Sequence, residues 1–353
     1  MIMEQYIEEA ISLLKQLIEV ESVSRYEDKT AEIIVSFFQK KQIQAHRLQN
    51  NIWVKNAFYQ EGKPTILLNS HHDTVKPHNS YKRNPFEPVL ESGRLYGLGS
   101  NDAGASLVSL LAAFLFFYDE KDLKYNLIFA ASAEEEISGS NGIELLLPDL
   151  GPIDFAIVGE PTGMQMAIAE RGLLVLDCEA RGITGHAARN EGVNAIYKAI
   201  KDIQWFRAYS FPKVSDLLGP VKMTVSMIHG GTQHNVVPDN CSFTVDIRTT
   251  EQYTHLEILE TIRLYTSCSV KERSMRLAPS FIDVLHPAVQ AGLALGCSTY
   301  GSPTTSDQAL MNFPTFKMGP GDSARSHSAD EFVWLKEIEE GIHIYINLLK
   351  TIL

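Results

Sequence analysis

What most limits how this chain can fold is a repeated alternation of short apolar runs with longer apolar or amphipathic segments. Residues 65–68, 127–131 and 155–158 are apolar runs too short for a typical helix, and they read as buried strands. Between the first two lies 105–118, apolar almost throughout and long enough for a buried helix. Ile7, Ala10, Ile11, Leu14, Leu17 and Ile18 recur at helical spacing, so the chain opens on a helix with one apolar stripe. A second helix is predicted around 31–39. Strands alternating with helices predict an α/β domain whose mostly parallel, twisted sheet is flanked by helices.

The pattern changes across 167–280. LLVLDCEA reads as a strand, NAIYKAIKDIQWF as a helix, VKMTVSMI and CSFTVDIR as two strands, and HLEILETIRLY as a helix; a last strand follows Cys268. The order βαββαβ is that of a small ferredoxin-like α+β domain. Beyond His286 the α/β pattern returns, with FPTFKMG as a strand and 331–353 as a long terminal helix. The 353 residues exceed what one core usually holds. The expected organisation is a discontinuous metal-binding catalytic domain, 1–165 and 281–353, with a dimerisation or lid domain inserted at 166–280.

Charge and cysteine content narrow the function classes. Lys and Arg number 31 against 43 Asp and Glu, a formal charge of -12, which repels phosphate backbones and argues against nucleic acid. The 4 cysteines, Cys178, Cys241, Cys268 and Cys297, are widely spaced and form no CxxC pair, so they read as buried thiols of a reducing compartment. The first residues lack the basic start of a signal peptide, and no unbroken apolar run reaches about 18 residues. A cytoplasmic protein with no membrane partner is the expectation.

Candidate ligands and bases cluster after the apolar runs. In ILLNSHHDTV, His71 leaves a strand and Asp73 follows two positions later on the same face, able to fix the histidine tautomer. Taken alone, that pair is also what a surface histidine beside an aspartate looks like. In YGLGSNDAGAS, Asp102 sits in a glycine-rich turn before the long apolar helix, where a helix N-cap is the plain alternative. NLIFAASAEEEISGSNG sets three glutamates directly after a buried strand, a like-charge conflict that a cation would relieve. Neighbouring Glu135 and Glu136 point apart, so that one can bind metal while the other holds a water. Glu160 follows a strand in FAIVGEPTG, and His327 lies in the Gly-, Ser- and Asp-rich loop of MGPGDSARSHSADEF. Ligands of open α/β sheets gather outside the carboxyl ends of the strands, and all five positions fall at such ends or in loops able to reach them. Two histidines with three carboxylates suit zinc or a similar first-row metal. With one bridging carboxylate they can hold two ions about 3.5–4 Å apart. No GxSxG elbow supports a serine hydrolase.

SHHDTV, GLGSNDAG, AEEEISGSNG, VGEPT and SARSHSADE together resemble, in order, the motifs of a dinuclear-zinc family. That family includes acetylornithine deacetylase, succinyl-diaminopimelate desuccinylase and glutamate-releasing carboxypeptidases. The resemblance spans nearly the whole chain. It implies that His71, Asp102 and Glu160 bind one metal and Asp102, Glu136 and His327 the other, with zinc expected and cobalt possible. It further implies Glu135 as general acid/base, Asp73 as the group orienting His71, and a cis peptide after Asp102. TGHAARNEGVNAI and GGTQHNVVPDNCSFTVDIR resemble the family's inserted domain. By that resemblance His186 is a catalytic histidine lent to a partner across a homodimer, and Asn235 and Arg248 bind substrate. Arg171 joins them as a further substrate-binding candidate. Arg189 and Asn190 depart from the proline many relatives carry. The tail and the segment SPTTSDQAL look most like the arginine-biosynthesis branch. The implied reaction is metal-dependent hydrolysis of a small N-acyl amino acid, N-acetyl-L-ornithine or N-acetyl- or N-succinyl-citrulline. Alternatives are a di-/tripeptidase or carboxypeptidase on the same site, and a non-catalytic binding relative. Arg325 would either meet a succinyl carboxylate or stabilise its loop, the second being preferred.

Overall fold

The computed structural model describes residues 2–353. The chain divides into two compact units. The first comprises the residues up to Ile168 together with Phe281–Tyr300 and Ser306–Leu353, and the second comprises Ala169–Ser280 with Gly301–Thr305. The stretch 301–305 thus joins the inserted unit, which the sequence reading had closed at 280.

Strands of the first unit follow the order 46–48, 51–55, 126–132, 65–71, 155–159, 315–318 and 166–170. The four central ones, Asn126–Ser132, Thr65–His71, Phe155–Gly159 and Thr315–Met318, are parallel. Outer strands run antiparallel. Every residue of the four parallel strands is buried, which explains why they read as continuous apolar runs rather than alternating ones. The predicted apolar helix is Ala105–Phe117, with twelve of its residues buried. It packs against the sheet strands and against the helices Ile2–Ile18 and Leu335–Ile352. Being covered on both sides, it has no polar face to show. At Gly159 a Cβ would lie 2.8 Å from Leu110, so the helix sits directly on the strand end that leads to Glu160.

The predicted terminal helix over 331–353 starts late. Phe332–Trp334 is a strand paired with Arg94–Tyr96, and the helix begins at Leu335. Two contacts favour the strand. The Arg94 guanidinium lies over the Phe332 and Trp334 rings at 4.8 and 4.4 Å, and Glu337 accepts from Trp334 N at 3.0 Å, closing the helix start one turn later.

In the second unit, four antiparallel strands follow the order Lys222–Gly230, Asn240–Thr249, Gly172–Arg181, Ser269–Glu272. With the helices Ala195–Ala208 and His255–Tyr265 they give the βαββαβ order predicted. Asn194 caps the first helix, and Thr254 with Glu257 forms a capping box on the second. The fold class is therefore α/β with a mostly parallel sheet and an inserted ferredoxin-like α+β unit. In both units local signals and burial pattern agree, which is what makes such sequences readable.

Candidate metal centre

Three strand ends and two loops deliver the polar cluster. His71 ends the strand Thr65–His71 and is 1% exposed. Its Nδ1 is 3.0 Å from the Asp73 carbonyl oxygen and 3.4 Å from Asp73 Oδ1, so both the backbone and the carboxylate of Asp73 orient the ring. Nε2 faces the other way, 3.3 Å from Asp102 Oδ1, 3.8 Å from Glu160 Oε1 and 3.9 Å from Glu135 Oε2. The adjacent His72 is committed elsewhere, to Thr30 Oγ1 at 2.9 Å and the Asn50 carbonyl at 2.8 Å. Burial drives its proton affinity down to about 4, so His72 is a neutral structural residue.

Asp73 does more than the sequence indicated. Its carboxylate accepts from Ser24 Oγ at 2.7 Å and from the backbone N–H groups of Glu135 and Glu136 at 3.0 and 3.2 Å. One buried carboxylate thereby fixes His71 and the start of the acidic turn together. The first of the three glutamates, Glu134, takes a left-handed backbone (φ 54°), and its carboxylate accepts from Asn141 Nδ2 at 3.0 Å. That leaves Glu135 and Glu136, each of which falls in a ligand-type triad with His71.

Asp102 lies in a turn that needs glycine on either side. Gly99 has φ +74°, and a Cβ on Gly104 would stand 2.4 Å from Gly99 O. The Asp102–Ala103 peptide is cis. The plain alternative, a helix cap, does not hold, because no side chain caps this helix. Instead Glu331 grips the turn, accepting from the N–H groups of Asn101 and Asp102 at 2.8 Å each and Gly99 at 3.1 Å. Sequence reasoning missed Glu331. The one available hint was its place at the end of the SARSHSADE motif.

Asp102 has its two oxygens turned to two histidines. Oδ1 is 3.3 Å from His71 Nε2 and Oδ2 is 3.6 Å from His327 Nε2. His327 Nε2 also meets Glu136 Oε2 at 2.9 Å. The His327 loop is pinned at several points: Asp322 N donates to Asn101 Oδ1 at 3.0 Å, and Asp330 accepts from the backbone of Lys82 and Arg83. Arg325 belongs to this pinning, paired with Glu337 at 2.7 Å and stacked on Phe332 at 4.9 Å. Thus the structure brings His71, Asp73, Asp102, Glu135, Glu136, Glu160 and His327 together.

The other candidates lie in the inserted unit. His186 is exposed on a two-residue strand, Gly185–His186, opposite Val236–Val237, and Ala187 N donates to the Asn235 carbonyl at 3.0 Å. His186 and Asn235 are therefore neighbours on one short ladder. Arg248 makes a two-point pair with Asp246 on its own strand, at 2.9 and 3.1 Å. Arg171 donates to the carbonyl oxygens of Leu218 and Pro220, so its guanidinium serves that turn.

Does the cluster fit a metal? Two ligand-type triads, His71–Asp102–Glu136 and His71–Glu135–Glu160, each have donor atoms within 4.8 Å of one another. Glu160 Oε1 is buried with no hydrogen-bond partner among the described residues, a costly state that a cation would relieve. Proton affinities carry the same strain. Burial pushes Glu160 up to about 8, with His71 opposing and Asp102 adding to the rise. Burial likewise holds Glu135 well above the usual glutamate value. The hydrogen bond to Glu136 raises His327 to about 9. For His71, burial acts downward, but Glu135, Asp102, Asp73 and Glu160 outweigh it and raise it well above normal. Without a cation the cluster must hold protons to survive its own charge, and an N/O donor set of this kind suits zinc or a similar ion. The residues present fit the group.

This has a measurable consequence. Groups whose folded affinities stand above their ordinary values of 4.5 (Glu160) and 6.5 (His327) stabilise the metal-free fold at low pH. That contribution is lost as pH rises through about 8 and about 9, because the folded state binds more protons than the unfolded one there. The melting temperature of metal-free protein should therefore fall from pH 6 to pH 9, and saturating zinc should cancel the fall. A metal-free Tm that rises across that range contradicts this account.

Family comparison bears on the same residues. The model of peptidase family M20/M25/M40 matches residues 67–351. The chain belongs to that family. The M20 match begins in the strand that carries His71 and runs past His327. Among curated relatives, a probable carboxypeptidase of Paracoccidioides lutzii is 27% identical, covering 96% of this chain and 84% of its own length. A succinyl-diaminopimelate desuccinylase of Thioalkalivibrio sulfidiphilus is 24% identical, covering 98% and 99%. Among solved structures, the YXEP protein of Bacillus subtilis, described as a dinuclear metal binding peptidase of the M20 family, superposes with a TM-score of 0.74 at 17% identity, covering 99% and 98%. M20 membership makes this a metallopeptidase-like hydrolase.

Proposed function

We propose that this chain is a dinuclear-metal amide hydrolase acting on N-acyl amino acids, with N-acetyl-L-ornithine and N-acetyl- or N-succinyl-citrulline as the foremost substrates. The observation that carries the reading is Asp102, whose Oδ1 lies 3.3 Å from His71 Nε2 and whose Oδ2 lies 3.6 Å from His327 Nε2. Two metals would be held by these residues, one by His71, Asp102 and Glu160 and the other by Asp102, Glu136 and His327, as the family resemblance implies. Zinc is the proposed ion, with cobalt served by the same donors. When bound, the pair supplies acidification of a water and polarisation of the scissile carbonyl.

The chain's own groups do the rest. Glu135, half-buried and raised in proton affinity, takes the attacking water's proton and returns it to the leaving nitrogen, so the proton count closes. Asp73 keeps His71 in one tautomer and fixes the Glu135 backbone. In the inserted unit we assign His186 to the developing oxyanion, and Asn235 and Arg248 to the substrate carboxylate. The shared ladder of His186 and Asn235 supports treating them as one element.

A second reading, a carboxypeptidase or small peptidase, is equally supported by the family and by relatives named probable carboxypeptidase. Zinc-loaded protein assayed on N-acetyl- and N-succinyl-ornithine and -citrulline, beside dipeptides and C-terminal peptides, separates the two. The deacylase reading expects kcat/KM for one acyl amino acid at least about tenfold above any peptide, about 1.4 kcal/mol of transition-state binding. The reverse order assigns the site to a peptidase.

A further inference from the structure

Asp307 has no place in the ligand set, yet it is 3% exposed. Its Oδ2 accepts two hydrogen bonds, from Asn69 Nδ2 at 2.9 Å and from Ser132 Oγ at 2.6 Å. Both donors are fully buried. Each belongs to a strand that delivers the catalytic cluster. Asn69 precedes His71 by two residues on Thr65–His71, and Ser132 closes Asn126–Ser132 just before the acidic turn. The two strands are parallel neighbours, with Asn69 opposite Ala130 and His71 opposite Ser132. One carboxylate oxygen from a far part of the chain thus spans both strand ends.

A buried carboxylate is an expensive way to join two strands that already share a ladder. Desolvating such a group costs several kcal/mol unless its hydrogen bonds compensate. Burial pushes Asp307 up to about 6, while Ser132, Asn69 and His71 act in the opposite direction. Backbone pairing alone would keep the strands adjacent. It would not fix how far apart the side chains beyond their ends stand, and that spacing decides whether His71 and the Glu135–Glu136 pair can act on the same centre.

The geometry points to Asp307 as a positioning residue: by holding Asn69 and Ser132 on one oxygen, it sets the spacing between His71 and the Glu135–Glu136 turn. This rests on the amide-hydrolase reading above. Outer groups that orient ligands typically govern about 10–100-fold of metal affinity or rate. Misplacement of reacting groups by about 1 Å costs on the order of 10²-fold.

Asn69 supplies the means to separate position from charge. Its Oδ1 is buried without a partner among the described residues. In Asp307→Asn the new Nδ2 can take the place of Oδ2 and the Asn69 amide can turn over, so that Asn69 Oδ1 and Ser132 Oγ each accept one N–H from it. The tie survives and the charge is gone. Asp307→Ala removes both, and Ser132→Ala removes one strand's tie with little change in volume.

The test compares Asp307→Ala, Asp307→Asn and Ser132→Ala with the parent in three readouts: Tm, zinc affinity by chelator competition, and kcat and KM. Asp307→Ala is expected to lower kcat and zinc affinity by about 10–100-fold with KM within about threefold. Asp307→Asn should stay within about fivefold of the parent, and Ser132→Ala should fall between the two. If Asp307→Ala does not fold, Ser132→Ala carries the comparison. Parent-like zinc affinity and kcat in Asp307→Ala, or in Ser132→Ala where that variant carries the comparison, overturn the assignment. So does an Asp307→Asn as impaired as Asp307→Ala, which would make charge the operative property. Zinc competition needs no substrate, so a parent that hydrolyses nothing sinks the functional reading and leaves this test standing.

Discussion

Replacing Glu135 with alanine should lower kcat by about 10²–10⁴-fold while the metal content stays at the parent's value. The expectation rests on where Glu135 stands. Its carboxylate lies 3.9 Å from His71 Nε2, at the edge of the donor cluster, whereas His327 Nε2 meets Glu136 at 2.9 Å. The Glu135 backbone is held independently by Asp73, so truncating the side chain leaves the turn and Glu136 in place. Elemental analysis beside steady-state kinetics checks both halves. Loss of metal in Glu135→Ala would make this residue a ligand, an arrangement that the His71–Glu135–Glu160 triad also permits geometrically. Full metal content with activity within about tenfold of the parent would remove Glu135 from the proton path.

Asp102→Ala should weaken both metals by more than about 10²-fold, beyond what losing an outer partner costs. Asp102 turns one oxygen to each histidine, at 3.3 and 3.6 Å, so its removal strikes both positions at once. His327→Ala is the internal contrast. Its ring meets only Glu136 and Asp102 in the cluster, so one metal should leave and the other remain. Calorimetric titration with zinc distinguishes these outcomes by stoichiometry. Parent-like binding of both ions in Asp102→Ala would end the bridging assignment and with it the dinuclear reading.

Much of this was open to a reader of the chain alone, for particular reasons. Buried parallel strands carry apolar runs, such as 66–68, 127–131 and 155–158, so the charged or imidazole side chains that follow them stand out. His71, the Glu135–Glu136 pair and Glu160 were found that way. The inserted unit was readable because its half-buried strands and capped helices keep simple periods. Contacts between distant segments left no such mark. Glu331 holds the Asp102 turn across 229 residues, and its place at the end of the SARSHSADE motif says nothing of that partner. Asp307 reaches Asn69 across 238 residues. The late start of the final helix has the same origin. The run from Leu335 is helical by period, and only pairing with Arg94–Tyr96 draws Phe332–Trp334 into a strand. Glu134 was grouped with its two neighbours because a left-handed residue followed by a hydrogen-bonded turn has no signature in three identical letters.

The placement of Thr315–Met318 bears on how the molecule is made. It lies beside Phe155–Gly159 in the middle of the sheet, although more than a hundred and fifty residues of synthesis separate the two. A ribosome therefore releases four of the five ligand-type residues, and then the whole inserted unit, before the strand that closes the sheet and the loop that carries His327 exist. Until then Phe155–Gly159 has an open edge on that side, and an open, apolar edge invites pairing with the wrong strand. The cluster proposed above as the metal centre cannot be complete before the last tenth of the chain, which carries His327, has been made.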